Sequence, residues 1–147
     1  MKVLFLILGS ILFQSNSNWG KNFEEAKVLA TQKHQLILLN FSGSDWCGPC
    51  IRLKREVFGN EVFIHFADDN LVLVNADFPR SKKNELSKEQ TKQNENLADR
   101  YNPKGRFPFT LLVSPDGKVL KTFDGFPNES VDEFVDEIKS VCNAYSH

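Results

Sequence analysis

This chain lacks what would mark a polyanion binder, a disulfide-stapled scaffold or a membrane span. Its 18 Lys and Arg nearly balance 19 Asp and Glu, so no field of one sign exists to draw nucleic acid or an anionic lipid surface. Three cysteines are too few, and odd in number, for a scaffold held by disulfides. Stability must therefore come from a packed core. His34, His65 and His147 show no metal-ligand spacing, and one Cys-x-x-Cys pair supplies only two of the four ligands of a structural zinc site. Neither a metal nor a cofactor is expected. No internal repeat is present, and no apolar run reaches the ~20 residues that span a bilayer.

What is present suits one domain. The 147 residues are 41% hydrophobic and include 13 Phe, enough for an aromatic-rich core. Met1-Lys2, the apolar Val3 to Phe13 and Ser15-Asn16-Ser17 have the order of an export leader. Residues 1–17 are expected to be a signal peptide and 18–147 the folded domain. A membrane anchor is the alternative, and the shortness of the apolar run argues against it. The absence of cysteine at the cleavage site argues against a lipid anchor. The mature chain is expected to be periplasmic or secreted, and monomeric.

Phe23 to His34 has helical spacing with Glu24 and Glu25 in its first turn, where negative charge suits the helix dipole. Leu36 to Phe41 and Leu71 to Asp77 read as strands covered on both faces. The segment between them predicts a helix over Cys47 to Phe58, stopped by Gly59-Asn60, with a further short helical piece over Glu61 to Ala67. A helical crossover favours parallel pairing of the two strands. The polar run Arg80 to Asn96 reads as a solvated loop feeding a helix that ends near Tyr101. Phe109 to Val113 and Val119 to Phe123 flank the turn Ser114-Pro115-Asp116-Gly117 and predict a hairpin. Ser130-Val131-Asp132-Glu133 has capping-box form and opens a closing amphipathic helix. The class is α/β, a mixed central sheet with helices on both faces.

Trp46-Cys47-Gly48-Pro49-Cys50 lies between the first buried strand and its helix. A static bridge there would close too short a loop to constrain the unfolded chain much, so the pair points to reversible thiol-disulfide exchange. The thiolate is the attacking species. Unpaired N–H groups at a helix start would stabilise it on Cys47. Pro49 suits the first helical turn, and Gly48 leaves the approach path open. Cys50, one turn on, is placed to resolve a mixed disulfide.

The strand-Trp-Cys-Gly-Pro-Cys-helix unit, Phe107-Pro108-Phe109-Thr110 entering a strand, and Gly117 in the hairpin resemble the thioredoxin superfamily. The resemblance covers essentially the whole mature chain and is closest to exported members reading Gly-Ser-Asp-Trp-Cys, here Gly43 to Cys47. It implies a thioredoxin-like fold acting on protein thiols and disulfides, supplied by an electron donor that the sequence does not name. It also implies that Pro108 follows a cis bond and faces the cysteines, whereas an ordinary strand-start proline would be trans. Backbone groups at Phe107 would pair with a substrate strand, and Trp46 would cover the disulfide and touch substrate.

Two departures stand out. Asn40 occupies the place of the family's buried aspartate, and Leu73 that of its partner lysine. Losing both avoids an unpaired buried charge, and leaves Asp45 as a substitute proton acceptor, or as an ordinary loop residue. Cys142 reads as a buried inert thiol on the last helix. Asn128-Glu129-Ser130 fits a glycosylation pattern, as does Asn40-Phe41-Ser42 inside a strand. Gly-Pro between the cysteines resembles reducing thioredoxins. The rivals are a disulfide oxidase or isomerase, a non-catalytic binding module presenting the Phe107 region, and a copper-carrying thiol protein.

Overall fold

Leu36–Ser42 is buried at every position, as a strand in the middle of a covered sheet must be. In the computed structural model, which describes residues 18–146, it is strand β2 of a five-stranded sheet ordered β1-β3-β2-β4-β5. The expected leader at 1–17, and His147, lie outside the described residues. The other strands are β1 (Trp19–Gly20), β3 (Leu71–Asp77), β4 (Phe109–Val113) and β5 (Val119–Asp124). β1 and β2 run parallel to β3, while β4 runs antiparallel to β2 and to β5. The sheet is mixed, as its sequence pattern predicts.

Among the described residues five α-helices flank it: α1 (Phe23–Lys33), α2 (Gly48–Arg52), α3 (Glu61–Asn70), α4 (Lys88–Tyr101) and α5 (Val131–Tyr145). Past Arg52, α2 widens into a π-helical stretch, Leu53–Phe58, that buries Leu53, Val57 and Phe58. Each cap is chemically legible. Asn22 accepts from Glu24 and Glu25 N–H, Asn60 from Val62 N–H and Ser87 from Gln90 N–H, while Ser130 and Glu133 form a reciprocal capping box.

Strand alternation sorts the core into two layers. Ile37, Leu39, Phe41, Val72, Val74, Ala76, Leu111 and Val113 pack with Phe23, Ala26 and Ala30 of α1 and Tyr101 of α4. Leu36, Leu38, Leu71, Leu73 and Leu112 pack with the π stretch, Phe63 and Ala67 of α3, and Phe134, Val135 and Ile138 of α5.

Four local readings change. β1, two residues long, pairs Trp19 with Leu73 and Gly20 with Val74, a contact too short to register in a hydropathy pattern. α3 runs on to Asn70. Much of the polar Arg80 to Asn96 run is helix, because α4 starts at Lys88 and buries Asn94, which donates to the Asp77 carbonyl. Cys142 is half-buried against the α5 side of the core rather than enclosed.

Candidate active site

β2 ends in a tight turn: the N–H groups of Trp46 and Cys47 both donate to the Gly43 carbonyl, at 3.3 and 2.9 Å. The Trp46 indole folds so closely over Gly43 that a Cβ there would collide with it. Glycine is therefore required at that turn. The turn delivers Cys47 to the N-cap of α2 with extended backbone, and its Sγ accepts from the Cys50 N–H at 3.3 Å. Cys47 and Cys50 are disulfide-bonded with Cα atoms 5.2 Å apart. Both are buried, while Gly48 and Pro49 between them are exposed. The two sulfurs thus sit under a small solvent-facing rim at the start of the helix.

Aromatic rings form the wall beside them. Trp46 Nε1 donates to the Phe78 carbonyl at 2.7 Å. Its indole meets Phe107 edge-on at 5.5 Å, and Phe107 meets Phe78 at the same distance. Phe78 in turn stacks at 6.5 Å on Phe41 of the core. Trp46 and Phe107, distant in sequence, are thereby brought together. The Phe107-Pro108 bond is cis. Pro108 is buried and its carbonyl accepts from Gly125 N–H at 2.9 Å, but the Phe107 N–H and carbonyl make no hydrogen bond among the described residues. Asn102, 3% exposed, fixes the preceding loop through both of its amide atoms, donating to the Arg106 carbonyl and accepting from Arg106 N–H.

The layer beneath Cys50 is polar. Asn40 donates to Asn75 Oδ1 and accepts from Thr110 Oγ1, each at 2.9 Å. Asn75 donates to Ser42 Oγ, which donates to the Asp77 carboxylate, both at 3.3 Å. Asp77 also accepts from Ser44 through its N–H and hydroxyl, at 3.0 and 2.5 Å. Asn40, Ser42, Asn75, Asp77 and Cys50, with Lys54, line a cavity of about 490 Å³. The residue opposite Asn40 is therefore Asn75; Leu73, expected at the partner position, pairs with Leu38 inside the apolar core. A two-residue offset along β3 keeps the same face of the strand, so the spacing in the chain did not distinguish the two.

Asp45 turns away from proton transfer. Its carboxylate accepts from the N–H groups of Arg80 and Ser81 and from Asn84 Nδ2, all at 2.9 Å. Those bonds, led by the one from Arg80, hold its pKa below the usual carboxylate value. It is a clamp on the 80–84 segment, and of the two readings, substitute proton acceptor or ordinary loop residue, these bonds favour the second. Burial pushes the Cys142 thiol up, and that residue lies on α5, outside the site. Sequence reasoning missed Phe78, Arg80, Asn102, Asn75 and Asp77. Their roles follow from contacts spanning many residues, and a signal was carried by Asn75 and Asp77 alone, as polar residues of a recognisable strand.

A family model described as thioredoxin-like matches residues 18–115. The chain is 34% identical over 127 residues to the disulfide bond reductase DsbH of Chlamydia pneumoniae, covering 86% of this chain and 74% of that one. It is 27% identical to the thioredoxin-related protein DsbJ of the same organism, covering 87% of this chain but 36% of DsbJ. A solved structure titled DsbH oxidoreductase superposes with a TM-score of 0.78 at 33% identity, covering 87% of this chain and 85% of that one.

Proposed function

Starting from the premise that the chain belongs to the thioredoxin-like family and is a thiol-disulfide oxidoreductase of the Dsb type, we propose that it reduces protein disulfides in an exported compartment. The observation that carries the reading is the Cys47–Cys50 disulfide at the N-cap of α2, with Cys50 N–H directed at Cys47 Sγ. In the reduced protein the same donor stabilises a Cys47 thiolate, since the first N–H groups of a helix lack internal partners.

Substrate reduction takes two steps, after which the electron donor returns the Cys47–Cys50 disulfide to the dithiol. Cys47 thiolate attacks one sulfur of a substrate disulfide; a Cys47–substrate bond forms and the substrate's own bond breaks, releasing one substrate thiolate. Cys50, deprotonated, then attacks Cys47 Sγ, giving the Cys47–Cys50 disulfide and the second substrate thiolate. Exposed Gly48 and Pro49 let a polypeptide approach, and the unpaired Phe107 peptide group beside Pro108 offers a substrate strand both a donor and an acceptor. The polar cavity under Cys50 can hold water to carry away its proton. The partners are protein thiols and disulfides and an electron donor, with the chain acting as a monomer. The reductive direction follows the name of the DsbH relative and the Gly-Pro between the cysteines. The leader-like residues 1–17 support export.

The test is the equilibrium reduction potential of the Cys47–Cys50 pair in a Cys142→Ser background. A value near the ~−270 mV of thioredoxin supports reduction, and a value at or above ~−180 mV assigns isomerase or oxidase action instead.

A further inference from the structure

Arg80 is an exposed residue whose guanidinium has no carboxylate partner among the described residues. Its Cζ lies 3.7 Å from the centroid of Trp46, the residue that precedes Cys47. The arginine is anchored at both ends: Asp45 grips its backbone N–H, and the indole carries its head. The platform is itself fixed by the Trp46 hydrogen bond to the Phe78 carbonyl and by its edge-on contact with the Phe107 ring.

Among the other arginines over rings, Arg100 is likewise without an ion pair, but its Cζ is 4.9 Å from the ring of Tyr101, on α4, whereas Arg80 stacks at 3.7 Å on the residue next to Cys47. Arg52 also lies over a ring, that of Phe126, but ion-pairs with Glu56 at 3.0 Å, and Arg106 pairs with Asp124. Their charges are internally matched. The cavity next to Arg80, about 440 Å³, is lined by Lys82 and by the carboxylates of Asp77, Glu85 and Glu95 as well, and none of the three reaches ion-pair distance of Arg80. Stacking occupies a face of the guanidinium and leaves its edge N–H donors for a ligand. That planar edge matches a carboxylate bidentately. Because head and backbone are already ordered, engaging an anion there costs little further side-chain entropy.

We propose that Arg80 is a specificity-determining residue: it selects substrate cysteines flanked by an Asp or Glu side chain. A chain seated on the free Phe107 peptide group lies next to the indole that both the Phe107 ring and the Arg80 guanidinium contact, so a carboxylate near its cysteine meets the guanidinium edge. The proposal rests on Cys47 being the attacking thiol and is independent of the direction of net exchange.

The experiment isolates that single attack. The Cys50→Ser, Cys142→Ser chain is mixed with two short peptides, identical except for Glu or Gln beside their cysteine, each activated as a 2-thiopyridyl disulfide. Cys47 thiolate bonds to the peptide sulfur, the sulfur–thiopyridyl bond breaks, and the leaving thiopyridine takes up a proton and reports the rate by absorbance. The Glu peptide is expected to react roughly tenfold faster at low salt. Adding Arg80→Gln should bring the ratio of rates to about one through loss on the Glu peptide; Arg80→Lys, which keeps charge but not the fork, should retain part of the preference. Equal rates in the parent chain overturn the proposal. So does an equal loss on both peptides with Arg80→Gln, which would make Arg80 a modifier of the Cys47 thiolate. No release from either peptide would remove Cys47 as the attacking thiol, and with it both the proposed function and this selectivity.

Discussion

On the face of the sheet that carries α1 and α4, β2 presents Ile37, Leu39 and Phe41, apolar from end to end. On the opposite face the same strand starts with Leu36 and Leu38 and then turns to Asn40 and Ser42. β3 repeats the change, from Leu71 and Leu73 to Asn75 and Asp77, and β4 places Thr110 beside them. The first face is simply packed. The second is packed at one end and hydrogen-bonded at the other, and the hydrogen-bonded end is where Cys50 sits. Polar side chains buried without partners would each cost about 1–3 kcal/mol, so the array survives because its members satisfy one another. The difference teaches that a single sheet can hold structure on one side and a proton-tolerant floor on the other, using strand parity alone.

The contrast can be broken most forcefully on the apolar face. Phe41→Ala removes a fully buried ring and its stacking on Phe78; a loss of ~3–5 kcal/mol is expected in denaturant unfolding. On the polar face, Asn75→Leu strips Asn40 and Ser42 of a partner and should cost ~1–3 kcal/mol. Replacing the set together, as Asn40→Leu, Thr110→Val and Asn75→Leu, should restore most of that stability. The triple variant should nevertheless resolve mixed disulfides at Cys50 more slowly, measured by rapid-quench mass analysis; an unchanged rate would show that the floor has no part in the exchange.

The smallest effect concerns the rim. Asp45 has a folded pKa below its unfolded value, so its hydrogen bonds contribute stability above the unfolded value, near ~3.9, and lose it as pH falls through the lower folded one. Amide hydrogen exchange at Arg80 and Ser81 should accelerate in that acid window ahead of exchange in β2. Asp45→Asn should remove the pH dependence.

Much of this architecture was legible because the signals are local. Leu36 to Phe41 is apolar at every position but Asn40, Ser130 and Glu133 cap a helix three residues apart, and the Cys-Gly-Pro-Cys unit contains both sulfurs within one helical turn. What stayed hidden depends on register between distant segments. Asn40 reads as a departure from a family pattern until β3 places Asn75 opposite it. Arg80 reads as one charge in a polar run until Trp46 lies under it. Asn94 does a core residue's work, accepting from Gln90 and donating to the Asp77 carbonyl, and hydropathy scores such a residue as surface. The choice between the two readings of Asp45 was hidden for a related reason: proximity in sequence to a cysteine does not say which way a carboxylate faces.

The position of β2 also sets a clock. It binds β3, which begins at Leu71, on one side, but its other side waits for β4, and the Asn40–Thr110 hydrogen bond spans 70 residues. In a chain that appears amino end first, the parallel half can assemble while the opposite edge of β2 remains open, and Cys47 and Cys50 are present throughout. Both thiols are thus available for pairing before the sheet is closed, and the antiparallel hairpin of β4 and β5, arriving late, seals the edge that an incomplete chain leaves most exposed to association.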